Sequence, residues 1–225
     1  MLNASEELFA EENLEFWKRM SKPQREMVLN SATCVKYKKG ESLHDGVNNC
    51  LGLVLVMEGR LRIFILSEEG KEVTLFRLNP SEACVLSASC ILKNITFDVH
   101  IEAEKDSSVI IINPKAFENL CLENVYAENF SYKVITAHFS EVMWAMEQIL
   151  FMSFEKRLAI FLIDQSSLDN SEYISMTHEE IANHMGSARE VVSRMLKYFQ
   201  NEGIVELSRG DIKIIDKKKL RALAL

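Results

Sequence analysis

The sequence predicts an α+β chain in three successive parts: an N-terminal antiparallel β-roll of the double-stranded β-helix or jelly-roll type, a long helix, and a C-terminal winged helix-turn-helix. Three observations carry that prediction. Short runs rich in Val, Ile, Leu and Phe at residues 51–57, 61–66, 73–78 and 109–112 are punctuated by Gly40, Gly46, Gly59 and Gly70, the pattern of an antiparallel sandwich or roll. Residues 114–150 hold no Gly, and no Pro after Pro114, and repeat apolar side chains every three or four positions, the period of a helix. Residues 176–197 read as two short helices joined at Gly186.

In chain order, residues 5–30 carry an amphipathic helical pattern, with Leu8, Phe9, Leu14, Phe16, Trp17, Met20, Met27, Val28 and Leu29 interrupted at Pro23. That is a packing pattern. Within the strand-like region, Gly70 suits a hairpin tip because it accepts the positive φ such turns demand; it reports turn geometry, not a ligand. Residues 79–92 are different. Cys84, Leu86, Ser87, Ser89 and Cys90 form a small, mostly apolar, hydroxyl-bearing loop flanked by two thiols, the candidate effector or redox site. The thiols can be read as a redox pair, as metal ligands or as buried small residues, since unpaired Cys is among the most buried residue types.

The long helical span offers two apolar stripes. Phe130, Val134, Ala137, Glu141, Trp144 and Gln148 recur at three-four spacing, and Ile135, Val142, Ile149 and Met152 lie beside them. One helix with two stripes has two surfaces to cover, its own roll and the same helix of a second copy, so a homodimer is expected. The expected divisions are a sensory roll over 1–113, a dimerisation helix and hinge over 114–152, and a winged helix-turn-helix over 153–225.

Composition narrows the class. With 48% hydrophobic and 26% charged residues the chain is an ordinary globular protein. An acidic start and the lack of a long apolar run speak against a signal peptide and a membrane span, so a cytoplasmic location is expected. Five cysteines at irregular spacing do not suggest a disulfide framework. The net charge of −7 at first opposes nucleic-acid binding, but its distribution reverses that: residues 153–225 hold 11 Lys and Arg against 11 Asp and Glu, so the acidic excess lies upstream.

The stretch from Met176 to Lys197 carries the chemistry. Thr177 with Glu180, and Ser187 with Glu190, each have the S/T-x-x-E spacing of a capping box. Ile181, Met185, Val192, Met195, Leu196 and Phe199 can share one buried side, and Ala182 allows close helix crossing. Arg189, Glu190, Ser193 and Arg194 then project from the first two turns of the second helix. Arg donates two hydrogen bonds to guanine and Glu accepts one from cytosine, so this flank suits G·C pairs in a major groove. Thr177, His178, Ser187 and Lys197 complete the candidate DNA-facing set. Beyond the helix, residues 204–207 and 212–215 flank Ser208-Arg209-Gly210-Asp211 as a wing, with Arg209 at its tip aimed at phosphate. Lys213 and the run 217–219 are weaker candidates, since a charge run is usually a solvated face.

The segment GSAREVVSRMLKYFQNEGIVE resembles the recognition helix of the CRP/FNR superfamily of bacterial transcription regulators, and the upstream architecture extends the resemblance over essentially the whole chain. It implies double-stranded DNA with a pseudo-palindromic operator as partner, and RNA polymerase as a candidate second partner. By that resemblance Arg189, Glu190 and Arg194 occupy the base-reading positions of the cyclic-AMP-responsive branch, and Glu190, Ser193 and Arg194 those of the oxygen-sensing branch; the operator stays open between them. The family's cyclic-AMP binders resemble Gly-Asp-Phe-Gly-Glu followed by an Arg. Here Val85 and Leu86 stand at the Gly-Glu position and Thr96-Phe97 where the Arg is expected, so a phosphate there would lose a charge-assisted bond worth roughly 1.5–3 kcal/mol. Cyclic-nucleotide binding is disfavoured. An iron–sulfur cluster needs four thiolates, mostly near the N-terminus in members that carry one, and only Cys34 and Cys50 lie near. His44, His100 and His138 are conceivable haem ligands, but no spacing singles one out.

Two rivals stand beside this reading. A cupin-like metalloenzyme would use the roll as its active site, but needs two or three His with a carboxylate, and this segment offers only His44 and His100, far apart in sequence. A DNA binder whose roll has lost all sensing is the other. No metal or cofactor is assigned; the effector is left as an unknown small molecule or redox signal.

Overall fold

The computed structural model describes residues 2–45, 51–85 and 99–225. These form two compact units, Met1–Ile65 with Leu75–Val142, and Leu66–Thr74 with Met143–Leu225. The first begins with α1 (Ala4–Asn13), capped by Asn3, whose Oδ1 accepts from the Ser5 and Glu6 amides while the Glu6 carboxylate accepts from the Asn3 amide at 2.8 Å. After a single 3₁₀ turn at Trp17–Arg19, α2 spans Lys22–Ser31. Pro23 sits in the first turn of α2 and does not interrupt a helix as the sequence suggested; its missing N–H costs nothing there.

Among the described residues eight strands follow: β1 (Ala32–Tyr37), β2 (Ser42–Asp45), β3 (Leu53–Glu58), β4 (Leu61–Leu66), β5 (Glu72–Leu78), β6 (Ala83–Cys84), β7 (His100–Ala103) and β8 (Ser107–Ile112). They make two four-stranded sheets ordered β1-β8-β3-β6 and β2-β7-β4-β5, in which β1 with β8, β3 with β8 and β6, and β7 with β2 and β4 pair antiparallel. Strand period decides the packing. On β3, Val54 and Val56 join Leu61, Ile63, Phe76, Ile101 and Val109 in one core, while Leu53 and Leu55 join Leu14, Phe16, Trp17 and Phe117 in another. Burial on both faces explains its continuous apolar run. Between β3 and β4, Gly59 takes φ +85°, and a Cβ there would fall 2.3 Å from the Asp106 carbonyl oxygen.

One feature of the roll was not legible in the sequence. Glu104 accepts from Arg77 Nε at 2.7 Å and lies 3.8 Å from Arg60, while Arg62 lies 3.9 Å from Glu102 with its guanidinium over the Phe64 ring. Arg60, Arg77 and Glu104 are all largely buried. Such groups survive burial only as a paired set.

The expected single helix over 114–150 is two: α3 (Pro114–Glu123) and α4 (Val125–Phe151). Asn124 makes the break. Its backbone is extended, its Oδ1 accepts from the Tyr126 and Ala127 amides, and its Nδ2 donates to the Arg19 carbonyl at 3.1 Å. An Asn that caps and also holds α2's approach outcompetes continuation of the helix. Ala127, Phe130, Ser131 and His138 of α4 face inward, and Phe130 meets Phe16 edge to face at 5.2 Å. Among the described residues no helix is long and apolar enough to cross a membrane.

Glu104→Ala leaves Arg60 and Arg77 buried without their shared carboxylate, so it is expected to cost roughly 3–5 kcal/mol. Urea unfolding of the variant against the parent measures it; a loss under about 1 kcal/mol would mean the cluster is solvated and unimportant.

Candidate nucleic-acid interface

The second unit is built around α5 (Phe154–Leu168), β9 (Tyr173–Ile174), α6 (His178–Met185), α7 (Arg189–Asn201), β10 (Val205–Leu207), β11 (Ile212–Ile214) and α8 (Lys217–Ala224), with the three strands in the order β10-β11-β9. Thr177 caps α6 as the sequence predicts: its Oγ1 accepts from the Glu180 amide at 3.1 Å, and Glu180 accepts from the Thr177 amide at 2.7 Å. Gly186 ends α6 at φ +61°, its amide donating to the Ala182 carbonyl. A Cβ at this glycine would meet Val73 Cγ2 at 2.6 Å.

The second predicted capping box does not form. The N-cap of α7 is Ala188, and no side chain caps it. Ser187 instead stays in the turn, its amide bonded to the Ala182 carbonyl at 3.0 Å. The helix therefore starts one residue later than the Ser-x-x-Glu spacing implied, which puts Val191, not Glu190, at the third helical position.

Helix rotation then sorts the side chains. Val192, Leu196 and Phe199 are fully buried, against Leu158, Leu162, Ile181, Ala182 and Met185. Met195, expected among them, is half-buried. The opposite flank presents Glu190, Arg194 and Lys197, all exposed, with Ser193 half-buried at its edge and Arg189 exposed at the helix's first position. Thr177 is exposed, while His178 and Ser187 are half-buried. The wing forms where predicted: Arg209 is exposed at its tip, Gly210 takes φ +88°, and Ser175 Oγ donates to Asp211 Oδ1 at 2.6 Å, tying the wing to the strand before α6. A cleft of about 430 Å³ lies between these parts, lined by Thr177, His178, Arg189, Ser208 and Gly210 among others. Burial, and then the neighbouring Arg189 cation, hold the His178 pKa below the usual histidine range. At neutral pH the ring is a neutral hydrogen-bonding group, not a cation.

Arg157 was not picked out from the sequence. Its Nη2 donates to the Met185 carbonyl at the end of α6, with the guanidinium near the Phe154 ring, satisfying an orphaned helix carbonyl. The lysine run is structural in part: Lys217 pairs with Glu172 at 3.2 Å, and Lys219 Nζ donates to the Glu202 carbonyl at 3.1 Å.

The other candidates divide. Cys84 is fully buried on β6, whereas Leu86, Ser87, Ser89 and Cys90 lie outside the described residues. Of the six seam residues, Phe130 is buried and Val134 packs against the roll core, so they belong to the inward face; Ala137, Glu141 and Trp144 are exposed and Gln148 is half-buried. His44 and His100, distant in sequence, lie on the adjacent strands β2 and β7, with His100 stacked on Phe64. Among the described residues no three His, Cys, Asp or Glu gather to hold a metal.

A roll followed by a winged helix-turn-helix with a cationic flank on its second helix defines a DNA-binding regulator. The comparisons agree. Residues 34–124 match the model of the cyclic nucleotide-binding domain, and residues 156–223 that of the Crp-like helix-turn-helix domain. The chain is 30% identical to the transcriptional activator protein FnrA of Stutzerimonas stutzeri over 83% of its own length and 78% of that protein, and 28% identical to the transcriptional activator protein Anr of Pseudomonas protegens over the same shares. A chain from Eubacterium rectale, solved as a regulator of the crp/fnr family, superposes with a TM-score of 0.92 at 42% identity, covering 95% of this chain and 99% of that one. The chain belongs to the CRP/FNR family of transcription regulators.

Two outcomes follow from this geometry. Gly186→Ala forces a Cβ into the left-handed region and is expected to lose roughly 1–2 kcal/mol in thermal unfolding; an unchanged Tm would show that the turn relaxes. Burial, with help from Glu6 and Glu128 respectively, pushes the Cys34 and Cys121 thiols up to about 11. Iodoacetamide should therefore alkylate both at neutral pH roughly 100-fold more slowly than an ordinary cysteine, as read by mass spectrometry; fast labelling would contradict it.

Proposed function

We propose that the protein is a homodimeric, sequence-specific regulator that lays α7 of each protomer in a major groove and answers a signal other than cyclic AMP. The observation that carries the reading is the segregation on α7, where Glu190, Arg194 and Lys197 lie opposite the buried Val192, Leu196 and Phe199, Ser193 stands at the edge of that flank, and Arg189 is exposed at the helix's first position. Arg189 and Arg194 read guanine, Glu190 reads cytosine, and Thr177, His178, Ser187 and Arg209 hold phosphates from either side. Pairing of copies runs along the face of α4 that carries the exposed Tyr132, Met143, Trp144, Leu150 and Phe151, an apolar surface that a second α4 would cover. This revises the seam anticipated from spacing, because Phe130 and Val134 face the other way. Two helices so related read half-sites about 34 Å apart. The roll over 1–113 is the sensor, 114–152 the dimerisation helix and hinge, and 153–225 the reader, acting in the cytoplasm where the DNA is.

The signal is set apart from cyclic AMP by Val85, a core residue at 1% exposure where the family's cyclic-AMP binders carry a glycine, and by the Leu that follows it. It works by shifting the population between two arrangements of the paired reading helices. The named relatives FnrA and Anr are activators, so contact with RNA polymerase belongs to the proposal.

In vitro selection of an operator, followed by titration at stated salt, tests the reading. Arg189→Ala and Arg194→Ala should each weaken operator binding by roughly 1–3 kcal/mol and relax one G·C position. Unchanged discrimination in both would overturn base reading by α7. Sedimentation of Trp144→Glu should show a shift from dimer toward monomer; a parent that is monomeric at high concentration would remove the pairing half of the proposal.

A further inference from the structure

In the first unit a buried titratable side chain of α4 also joins that helix to β6. His138 of α4 is 7% exposed, and its ring lies on that of Phe76 of β5, with centroids 4.1 Å apart and planes within 7°. Nε2 lies 3.0 Å from the Ala83 carbonyl oxygen of β6, and Nδ1 lies 2.8 Å from Glu141 Oε2 on the next turn of α4. Both partners can only accept: a carbonyl has no proton to give, nor has an ionised carboxylate. A neutral imidazole carries one N–H, so it can serve one of them and must point a lone pair at the other. Only the doubly protonated ring serves both.

We propose that His138 is a proton-dependent positioning residue that fastens α4 to β6. With two protons it bonds the Ala83 carbonyl and the Glu141 carboxylate together. When the ring loses one, it releases either the strand or the carboxylate. The fastening is therefore complete only while both ring nitrogens carry protons, and loses one of its two bonds when either proton leaves. Release toward the Glu141 side alters the surface of α4, since that carboxylate is half exposed; release toward Ala83 frees the strand that carries the buried Cys84.

Glu141 is the charged partner on α4 itself. From β5, Arg77 beside Phe76 is engaged with Glu104 at 2.7 Å. From the start of β6, Glu82 accepts from the Asn79 amide at 2.7 Å, and Cys84 next to Ala83 is a fully buried thiol.

The experiment is thermal unfolding of the full chain between pH 5.5 and 8, with Glu141→Gln and His138→Phe beside the parent, and it does not depend on DNA binding. An amide at position 141 can donate to a neutral Nδ1, so Glu141→Gln removes the need for the second proton. Relative to Glu141→Gln, the parent should lose roughly 2–4 °C of Tm across that range. His138→Phe, which keeps the ring stack, should show the flatter profile too. Parallel profiles for parent and Glu141→Gln would overturn the proposal, as would a parent that gains stability relative to it at high pH. If His138→Phe does not fold, the exposed Glu141→Gln change still decides the matter. ¹⁵N chemical shifts of the parent's His138 ring give the independent reading: two protonated nitrogens at pH 5.5 are expected, and a single fixed tautomer throughout would overturn it. Failure of operator selection would leave these results untouched and count only against the DNA-reading proposal.

Discussion

Burial of three side chains on α7 is the constraint from which the reading surface follows. A helix turns about 100° per residue, so once Val192, Leu196 and Phe199 are driven into the core with Ile181 and Leu158, the azimuth of every other residue on α7 is set. Glu190, Arg194 and Lys197 have no choice but to face out, while Arg189, seven residues before Leu196, is exposed because it opens the helix. The hydrophobic term is large and non-directional, yet acting on a periodic chain it produces a directional result. Gly186 permits it by closing α6 in the left-handed region, and Arg157 secures the end of that helix by occupying its last carbonyl.

The same logic governs α4, with polar groups adding the precision. Asn124 fixes where the helix starts, through the amides of Tyr126 and Ala127 and the Arg19 carbonyl. Phe130 on Phe16 and His138 on Phe76 then fix which side is inward. What remains outside is unusually apolar for a surface, with Tyr132, Phe139, Trp144 and Phe151 all exposed. A helix does not ordinarily present such a face to water, and this is what supports the proposal that a second copy of the chain covers it.

The roll shows a different economy. Its two hydrophobic cores share β3, buried on both sides, and its buried arginines are gathered around Glu104 and Glu102. Family membership and a roll do not by themselves specify a ligand. The high pKa values of the Cys34 and Cys121 thiols make them poor candidates for redox sensing, because reactivity follows the thiolate.

The sequence by itself determined the elements whose signals are local. Runs of β-branched residues, the Thr177–Glu180 cap, the Gly186 break, the wing around Gly210 and the apolar side of α7 all depend on neighbours within a few positions, and they could be read without knowing the fold. Tertiary structure decided the rest. Whether Ser187 or Ala188 would cap α7, whether the span after Pro114 would be one helix or two, and whether Phe130 would face inward depended on Ala182, Arg19 and Phe16, partners between 5 and 114 positions away. The charged set of Arg60, Arg77 and Glu104 and the two acceptors around His138 come together only when strands far apart in the chain are laid side by side. Spacing along a chain fixes a residue's direction on its own helix or strand, whereas its partner is chosen by which other surface arrives to cover it.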